Sequence, residues 1–425
     1  MGSTENSFLI IGAGIYGIST ALELKKSKPS SSVRLLDRTG APCPSAASHD
    51  LNKIVRADYD DVFYMRLGLE AMHGWRTDET YSPFYHESGI LIVDDSGWGA
   101  KCLENYKLLN IIVKAEILST EAAQTRFPMF ADGNWDGATD CYWNPESGWA
   151  EAEKALSSGL KAAVDAGVEI LEAAVDKLLL DNQGRCTGAV ATDGTEFHAS
   201  QTLVCAGAYT PKILLDTFPH SKECQVGDRL VAAGAVSCTA SFAAADDGKV
   251  AQVPVLINTL PHTHGESIPP VNGRTLKFNN ETSFTCNTTH EASGQTISIP
   301  PPQVSQSTWT QDVPRTLKSE AQTVMRHTYG EHLQELKAEE YRMCWDAVTP
   351  DQDWLISPHP KCDNLYIAAG GSFHGWKFFP CIGKYVTKML LGNLDEEKAR
   401  RWAWDRNYNG GRCPMYIPKR DLKDL

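Results

Sequence analysis

The sequence predicts an α/β protein of two domains. One is a βαβ-type domain built from discontinuous segments. The other is an α+β domain with a mixed β-sheet. Three observations predict this. At 425 residues the chain is too long for one simple core. Strand, turn and helix signals recur in three separated blocks. The stretches between the blocks are richer in Trp, Thr, Ser, Pro and His and read as β structure.

The first block has an apolar run at 8–11, a Gly-rich turn at 12–17, helical spacing over 18–26 and a strand at 33–36 that ends at Asp37. The second opens with a helix over 150–166, with Gly167 as its C-cap. A strand at 168–171 follows. Residues 178–181 and 186–191 flank Asn182-Gln183-Gly184, a hairpin signal, and 201–205 is a further strand. The third block is a strand at 365–369 and a helix over 380–391, with Pro380 in its first turn. The expected boundaries give residues 1–84, 148–224 and 340–425 to the first domain, and 85–147 and 225–339 to the second.

Composition excludes several classes. The net charge of −13 argues against a nucleic-acid partner, which calls for clustered basic surface. No segment approaches the roughly 18 apolar residues of a membrane span. Residues 1–6 are polar and do not read as a signal peptide, so an intracellular, cytoplasmic protein is expected. The end Asp421-Leu422-Lys423-Asp424-Leu425 is not a Ser-Lys-Leu peroxisomal address. None of the 12 cysteines sits in a CxxC pair or has zinc spacing, so no metal is expected and the thiols read as reduced.

Gly12-Ala13-Gly14-Ile15-Tyr16-Gly17 fits G-x-G-x-x-G in the context that gives the pattern meaning, after a strand and before a helix. Gly12 makes the tight turn, Gly14 admits a pyrophosphate to the backbone, and Gly17 lets helix pack on strand. Asp37 lies 20 residues after Gly17 and can accept from a ribose hydroxyl. This defines a Rossmann-like dinucleotide domain. The fingerprint alone does not separate FAD from a nicotinamide cofactor. The segment 45–56 is polar and basic. Its His49, Lys53 and Arg56 either face a cofactor ring or form a solvated loop.

The glycine fingerprint, Asp37-Arg38, the segment 45–56, Arg342-Met-Cys-Trp-Asp-Ala-Val-Thr-Pro350 and the loop Gly370-Gly-Ser-Phe-His-Gly-Trp-Lys-Phe-Phe-Pro380 together resemble the amadoriase (fructosyl amine oxidase) and monomeric sarcosine oxidase family. The resemblance covers both ends and much of the middle and is thinnest over 237–316. It implies FAD, held covalently by a thioether from Cys344, with Arg342 beside it to favour the thiolate. Without the resemblance, Cys344 reads as a small buried hydrophobe. The cofactor-binding residues implied are Gly12, Gly14, Ile15, Tyr16, Gly17, Asp37, Arg38, Ser45, Ser48, Asn52, Lys53, Val175, Gly207, Cys344, Asp346, Phe373, His374 and Lys377. For Val175 and Gly207 a plain core or turn role is the alternative.

The resemblance also assigns chemistry. Lys277 matches a lysine that stabilises O₂ as it gains charge, and Lys53 stands where sarcosine oxidases carry arginine. Lys377 matches a lysine that reaches the substrate carboxylate, with Phe373 beside the substrate. Arg412 matches a carboxylate-clamping arginine, with Arg406 and Arg420 as competitors. The implied enzyme is a monomeric FAD-dependent oxidase. It oxidises the C–N bond of a small N-substituted amino acid with O₂ to an imine and H₂O₂, without nucleic acid or membrane. Amadoriases read Gly-Asp-Ser-Gly-His before the lysine equivalent to Lys377, whereas this chain has Gly-Gly-Ser-Phe-His-Gly-Trp. That form is closer to fungal saccharopine, pipecolate and N-methyl amino acid oxidases, including those of secondary metabolism. An N-methyl aromatic amino acid would stack on Phe373 and Trp376. Fructosyl amino acid oxidation and saccharopine or pipecolate oxidation are the alternatives within this chemistry. Outside it stand a nicotinamide dehydrogenase, which has no use for Cys344, and a non-catalytic flavin-binding protein.

Overall fold

In the computed structural model, residues 7–242, 250, 253–271, 274–302, 309, 312–330, 336–411, 413 and 416–425 are described. The opening unit forms as expected, as β1 (Ser7–Ile11), α1 (Ile15–Ser27) and β2 (Ser32–Asp37). β1 lies inside a six-stranded sheet, in the order Leu355–Pro358, Leu365–Ala369, Gln201–Val204, β1, β2, Glu169–Glu172. Every neighbouring pair is parallel except the antiparallel edge strand Leu355–Pro358.

The alternation of side chains along a strand explains why β1 is apolar throughout. Phe8 and Ile10 point into a core shared with α1 and the helices Ala152–Asp165 and Phe379–Leu390. Leu9 and Ile11 point the other way, toward the antiparallel strands Val175–Leu180 and Cys186–Ala191 and the helix Thr210–Thr217. Each side chain so buried contributes about 1.5–3 kcal/mol.

The glycine turn is fixed sterically. Gly12 has φ +107°, and a Cβ there would lie 2.4 Å from the Cys205 carbonyl oxygen. A Cβ on Gly17 would lie 1.9 Å from the Gly12 carbonyl oxygen, so only glycine lets α1 start this close to β1. Gly167 follows the helix Ala152–Asp165 with φ +92°, in the expected terminating position.

The second sheet has eight strands in the order Lys337–Val348, Val231–Ser241, Thr275–Phe284, Gly265–Val271, Val255–Asn258, Ile90–Asp94, Asp140–Asn144, Glu116–Leu118. It is mixed, as expected. Val255–Asn258 pairs parallel with Ile90–Asp94, and the other pairs are antiparallel. The helix Arg315–Tyr329 covers one face through Leu317, Ala321 and Val324, in a core that also holds Phe278 and Trp345.

Two details depart from the sequence reading. The boundary placed at 340 falls inside the strand Lys337–Val348, which pairs with Val231–Ser241 from end to end. The second half of the polar segment 45–56 is a strand, Asn52–Val55, paired with Gly148–Glu151. Beyond it, the Asp58 carboxylate is fully buried. It accepts from Tyr106 at 3.0 Å, Tyr142 at 2.6 Å, Asn144 at 2.7 Å and Ser147 at 2.8 Å, which ties this chain segment to the second sheet. Among the described residues no helix is long and apolar enough to cross a membrane.

Candidate active site

Two cavities meet between the sheets. One, of about 380 Å³, follows the glycine turn and is lined by Gly12, Gly14, Asp37, Arg38, Ser48 and Val175 among others. The other, of about 620 Å³, lies under the eight-stranded sheet and is lined by Asn52, Arg56, Lys277, Glu281, His374 and Lys377 among others. Lys53, Cys344, Phe373 and Trp376 line both. Register places Cys344 there. Along Lys337–Val348, Arg342, Cys344 and Asp346 share a face. They stand opposite Ser237, Ala235 and Ala233 of the next strand, whose side chains leave room at the junction.

The smaller cavity has the features of a dinucleotide cradle. α1 begins at its wall with Gly14 as N-cap, and its positive end faces the cavity. Asp37 Oδ2 accepts the Ala13 N–H at 2.7 Å, and burial raises the pKa of this carboxyl. Ser48 Oγ accepts the Ile15 N–H at 3.1 Å. The Arg38 guanidinium donates to Ser45 Oγ at 3.0 Å and lies 4.1 Å from the centre of the Tyr209 ring. One buried polar atom on this wall, Tyr16 Oη, and one on the wall of the larger cavity, Asn52 Oδ1, have no hydrogen-bond partner among the described protein atoms. A tight glycine turn, a helix N-terminus, an acid at the end of β2 and wall atoms that await a partner all fit FAD.

A buried carboxylate organises the junction. Asp50 Oδ2 accepts from Lys277 Nζ at 2.5 Å and Lys53 Nζ at 2.7 Å, and Arg342 Nη1 lies 3.6 Å from Asp50 Oδ1. Arg342 also donates to the carbonyls of His49 at 2.5 Å and Ala46 at 2.8 Å. Burial alone would raise the Asp50 pKa, but Lys277, Lys53 and Arg342 outweigh it and hold the carboxyl far below its usual range. Burial pulls Lys277 down to about 8 despite Asp50. Burial opposes the charge on Lys53 as well, but there Asp50 and Cys344 prevail and its pKa is raised.

The strained loop after Ala369 closes the junction. Ser372 has φ +49° and Phe373 φ +60°, a backbone cost of roughly 1–3 kcal/mol each for non-glycine residues. Asp346 Oδ2 accepts the Phe373 N–H at 2.9 Å, and the Ala347 carbonyl accepts the Ser372 N–H at 3.0 Å. These bonds aim Phe373 into the site, where its ring centre lies 5.4 Å from that of Tyr416.

The larger cavity carries opposed charges. Arg56 lies 4.9 Å and Lys377 Nζ 5.6 Å from the centre of the same ring, Tyr59. Lys377 is buried, and burial followed by the nearby Arg56 depresses its pKa. Opposite, Glu281 accepts from the Tyr416 hydroxyl at 2.7 Å. Its pKa is raised by burial and then by Glu266 beside it.

Most of the anticipated residues therefore converge. Gly12, Gly14, Ile15, Tyr16, Asp37, Arg38, Ser45, Ser48, Lys53, Val175, Gly207, Cys344, Asp346 and Phe373 line the smaller cavity. Asn52, Lys277, His374 and Lys377 line the larger one. Gly17 lies on neither wall and acts through packing. Arg412 lies outside the described residues. Its competitors are engaged elsewhere. Arg406 makes bonds of 2.7 and 2.9 Å to Asp351, and Arg420 makes bonds of 2.6 and 2.8 Å to Glu320. Asp50, Tyr59, Glu266, Glu281 and Tyr416 were not anticipated. Lys277, Asn279 and Glu281 alternate with the core residues Leu276 and Phe278, and that polar period of two was the available signal.

A dinucleotide cradle joined to a charged cavity defines a dinucleotide-dependent oxidoreductase. The chain belongs to the DAO family of FAD dependent oxidoreductases, whose pattern matches residues 7–389. It is 27% identical over 423 residues to the L-saccharopine oxidase of Schizosaccharomyces pombe, covering 94% of this chain and 93% of that protein. It is 27% identical over 477 residues to the amino acid oxidase fsqB of Aspergillus fumigatus, covering 92% and 93%. Its fold superposes on the fructosyl peptide oxidase from E. terrenum with a TM-score of 0.85 at 26% identity, covering 100% of this chain and 98% of the other.

Proposed function

We propose that the protein is an oxidase of an N-substituted amino acid. It cleaves a C–H bond next to a secondary amine and yields an imine and H₂O₂. One observation carries this reading. Cys344 and Lys53 lie on the wall shared by the nucleotide cavity and a cavity that presents the basic side chains Arg56 and Lys377. FAD, when bound, accepts two electrons from the amine and returns them to O₂. The protein supplies position and charge. Arg56 and Lys377 receive the substrate carboxylate, whose negative charge favours the charged form of Lys377. Phe373, Tyr416 and Tyr59 wall the cavity and exclude water. Lys277 faces the junction as a fixed cation for O₂ as it gains charge. The Cys344 thiol stands where a thioether to the flavin would form, with Arg342 and Lys53 close by.

The substrate class follows from the cavity. Its volume of about 620 Å³ and the Glu266–Glu281 pair favour an amino acid with a long polar or cationic arm over N-methylglycine. The relation to a saccharopine oxidase supports the same choice, and the aromatic wall leaves an N-methyl aromatic amino acid as the second reading. The relation to a monomeric sarcosine oxidase of Bacillus sp., 22% identical over 420 residues, supports a monomer. None of the twelve cysteines is joined to another in a disulfide, in keeping with a reducing, intracellular compartment. A peroxide-coupled panel of saccharopine, N-methyl aromatic, cyclic imino and N-fructosyl amino acids tests the reading. Turnover is expected to be highest with saccharopine or another N-substituted amino acid of that length. Turnover of the same amines with the carboxylate esterified, at undiminished kcat/KM, would contradict it.

A further inference from the structure

The amine must be neutral to give up its C–H bond to an acceptor, yet amino acids arrive as ammonium ions at neutral pH. The nearby carboxylates are engaged with other partners: Glu281 accepts from the Tyr416 hydroxyl at 2.7 Å and Glu266 from the Asn279 amide at 2.7 Å. The hydrogen bonds of Lys377 supply a different answer.

Lys377 Nζ donates to Tyr59 Oη at 3.3 Å and to the His374 carbonyl at 3.0 Å. The Tyr59 hydroxyl is also 3.2 Å from His374 Nδ1, and His374 Nε2 is 2.8 Å from the Gln352 carbonyl. A carbonyl only accepts, so in the neutral ring Nε2 carries the hydrogen and Nδ1 is the acceptor. The Tyr59 proton then points at His374 and cannot serve Lys377. These bonds run away from the lysine, and its two acceptors are uncharged. A neutral amine has two hydrogens and one lone pair. The two hydrogens are taken, which leaves the lone pair of Nζ free of a protein partner among the described residues, in the cavity that Lys377 lines. Lys277 differs, because its partner is the carboxylate of Asp50.

We propose that Lys377 is the proton acceptor for the substrate: as the carboxylate settles between Arg56 and Lys377, the ammonium proton passes to Lys377 Nζ. One N–H bond breaks on the substrate and one forms on the lysine, and no electrons are exchanged. The carboxylate then rests on two cations, and the amine arrives neutral. Tyr59 and His374 are positioning residues, which hold the lone pair toward the substrate. The other charges facing Lys377 are consistent with this. Arg56 and Lys53 disfavour its protonated form, while Glu266 and Glu281 favour it. Before the substrate binds, burial and the two cations prevail. The proposal rests on the reading that the substrate is an amino acid held by its carboxylate.

Proton-linkage calorimetry on the anaerobic holoenzyme at neutral pH tests it, run in phosphate and in Tris, whose ionisation heats differ. The probes are (methylthio)acetate, which has a carboxylate and no amine, and 2-aminoisobutyrate, which has an ammonium but no α-hydrogen to lose. (Methylthio)acetate is expected to bind with uptake approaching one proton per site, and 2-aminoisobutyrate with almost none. K377R, permanently charged, is expected to bind (methylthio)acetate without uptake, and K377M to lose the uptake as well. Equal heats for (methylthio)acetate in both buffers would overturn the proposal, as would uptake that survives in K377M or K377R. Full uptake with 2-aminoisobutyrate would also overturn it, since the proton would then come from solvent. No saturable heat with either acid would instead refute the carboxylate reading beneath it.

Discussion

Replacing Lys277 by Met is expected to slow reoxidation of the reduced enzyme by O₂ about 10²–10³-fold, while anaerobic reduction by substrate changes only a few-fold. The charge of Lys277 is carried on a side chain that is only 2% exposed. In the proposed role this fixed cation acts on O₂ as O₂ gains charge, not on the amine. Stopped-flow mixing separates the two half-reactions. The lysine acts only while protonated, and its pKa is pulled down to about 8. Reoxidation is therefore expected to be fast below that pH and to fall as pH rises through it. Lys277→Arg keeps the charge and should flatten the profile. A Met variant that loses substrate reduction and keeps reoxidation would place Lys277 on the wrong half of the cycle.

Asp50→Ala is expected to cost about 3–5 kcal/mol in urea unfolding, the largest effect of any single change at the junction. The side chains of Asp50, Lys277 and Arg342 are 2%, 2% and 3% exposed, so the variant leaves buried cations without their counter-charge. The sign with pH follows. The folded-state pKa of Asp50 is depressed, so its contribution is present in full above the unfolded value of about 3.9 and fades as pH falls below it. The gap between variant and parent should narrow over that range. An Asp50→Ala protein as stable as the parent at neutral pH would show that the three cations do not depend on this carboxylate.

The fold was legible where local chemistry is strong. The apolar run Phe8 to Ile11, the glycine turn and the hairpin at Asn182-Gln183-Gly184 each carry their own geometry, and each forms as read. Cys344 and Lys377 were legible only through resemblance, because a lone cysteine and a lone lysine have no local signature. Asp50 was not legible. It stands in a segment that reads as polar and solvated. Its partners Lys277 and Arg342 are more than 220 residues away in sequence and meet it only through strand register. Tyr59 was missed for the same reason. Its role comes from Arg56, Lys377 and His374 converging on one phenol, and only Arg56 is near it in sequence. The segment 45–56 illustrates the limit. Its composition allows either a cofactor-facing element or a loop, and pairing of Asn52–Val55 with Gly148–Glu151 decides between them.

The central claim is that a flavin spans the two cavities and is bound to the sulfur of Cys344. The most direct measurement is the intact mass of the denatured protein, read beside the absorbance of the acid-precipitated pellet. The account predicts a protein heavier by one FAD less two hydrogens and a yellow pellet, both lost in Cys344→Ala. An unshifted mass, with the yellow colour left in the supernatant, would contradict it.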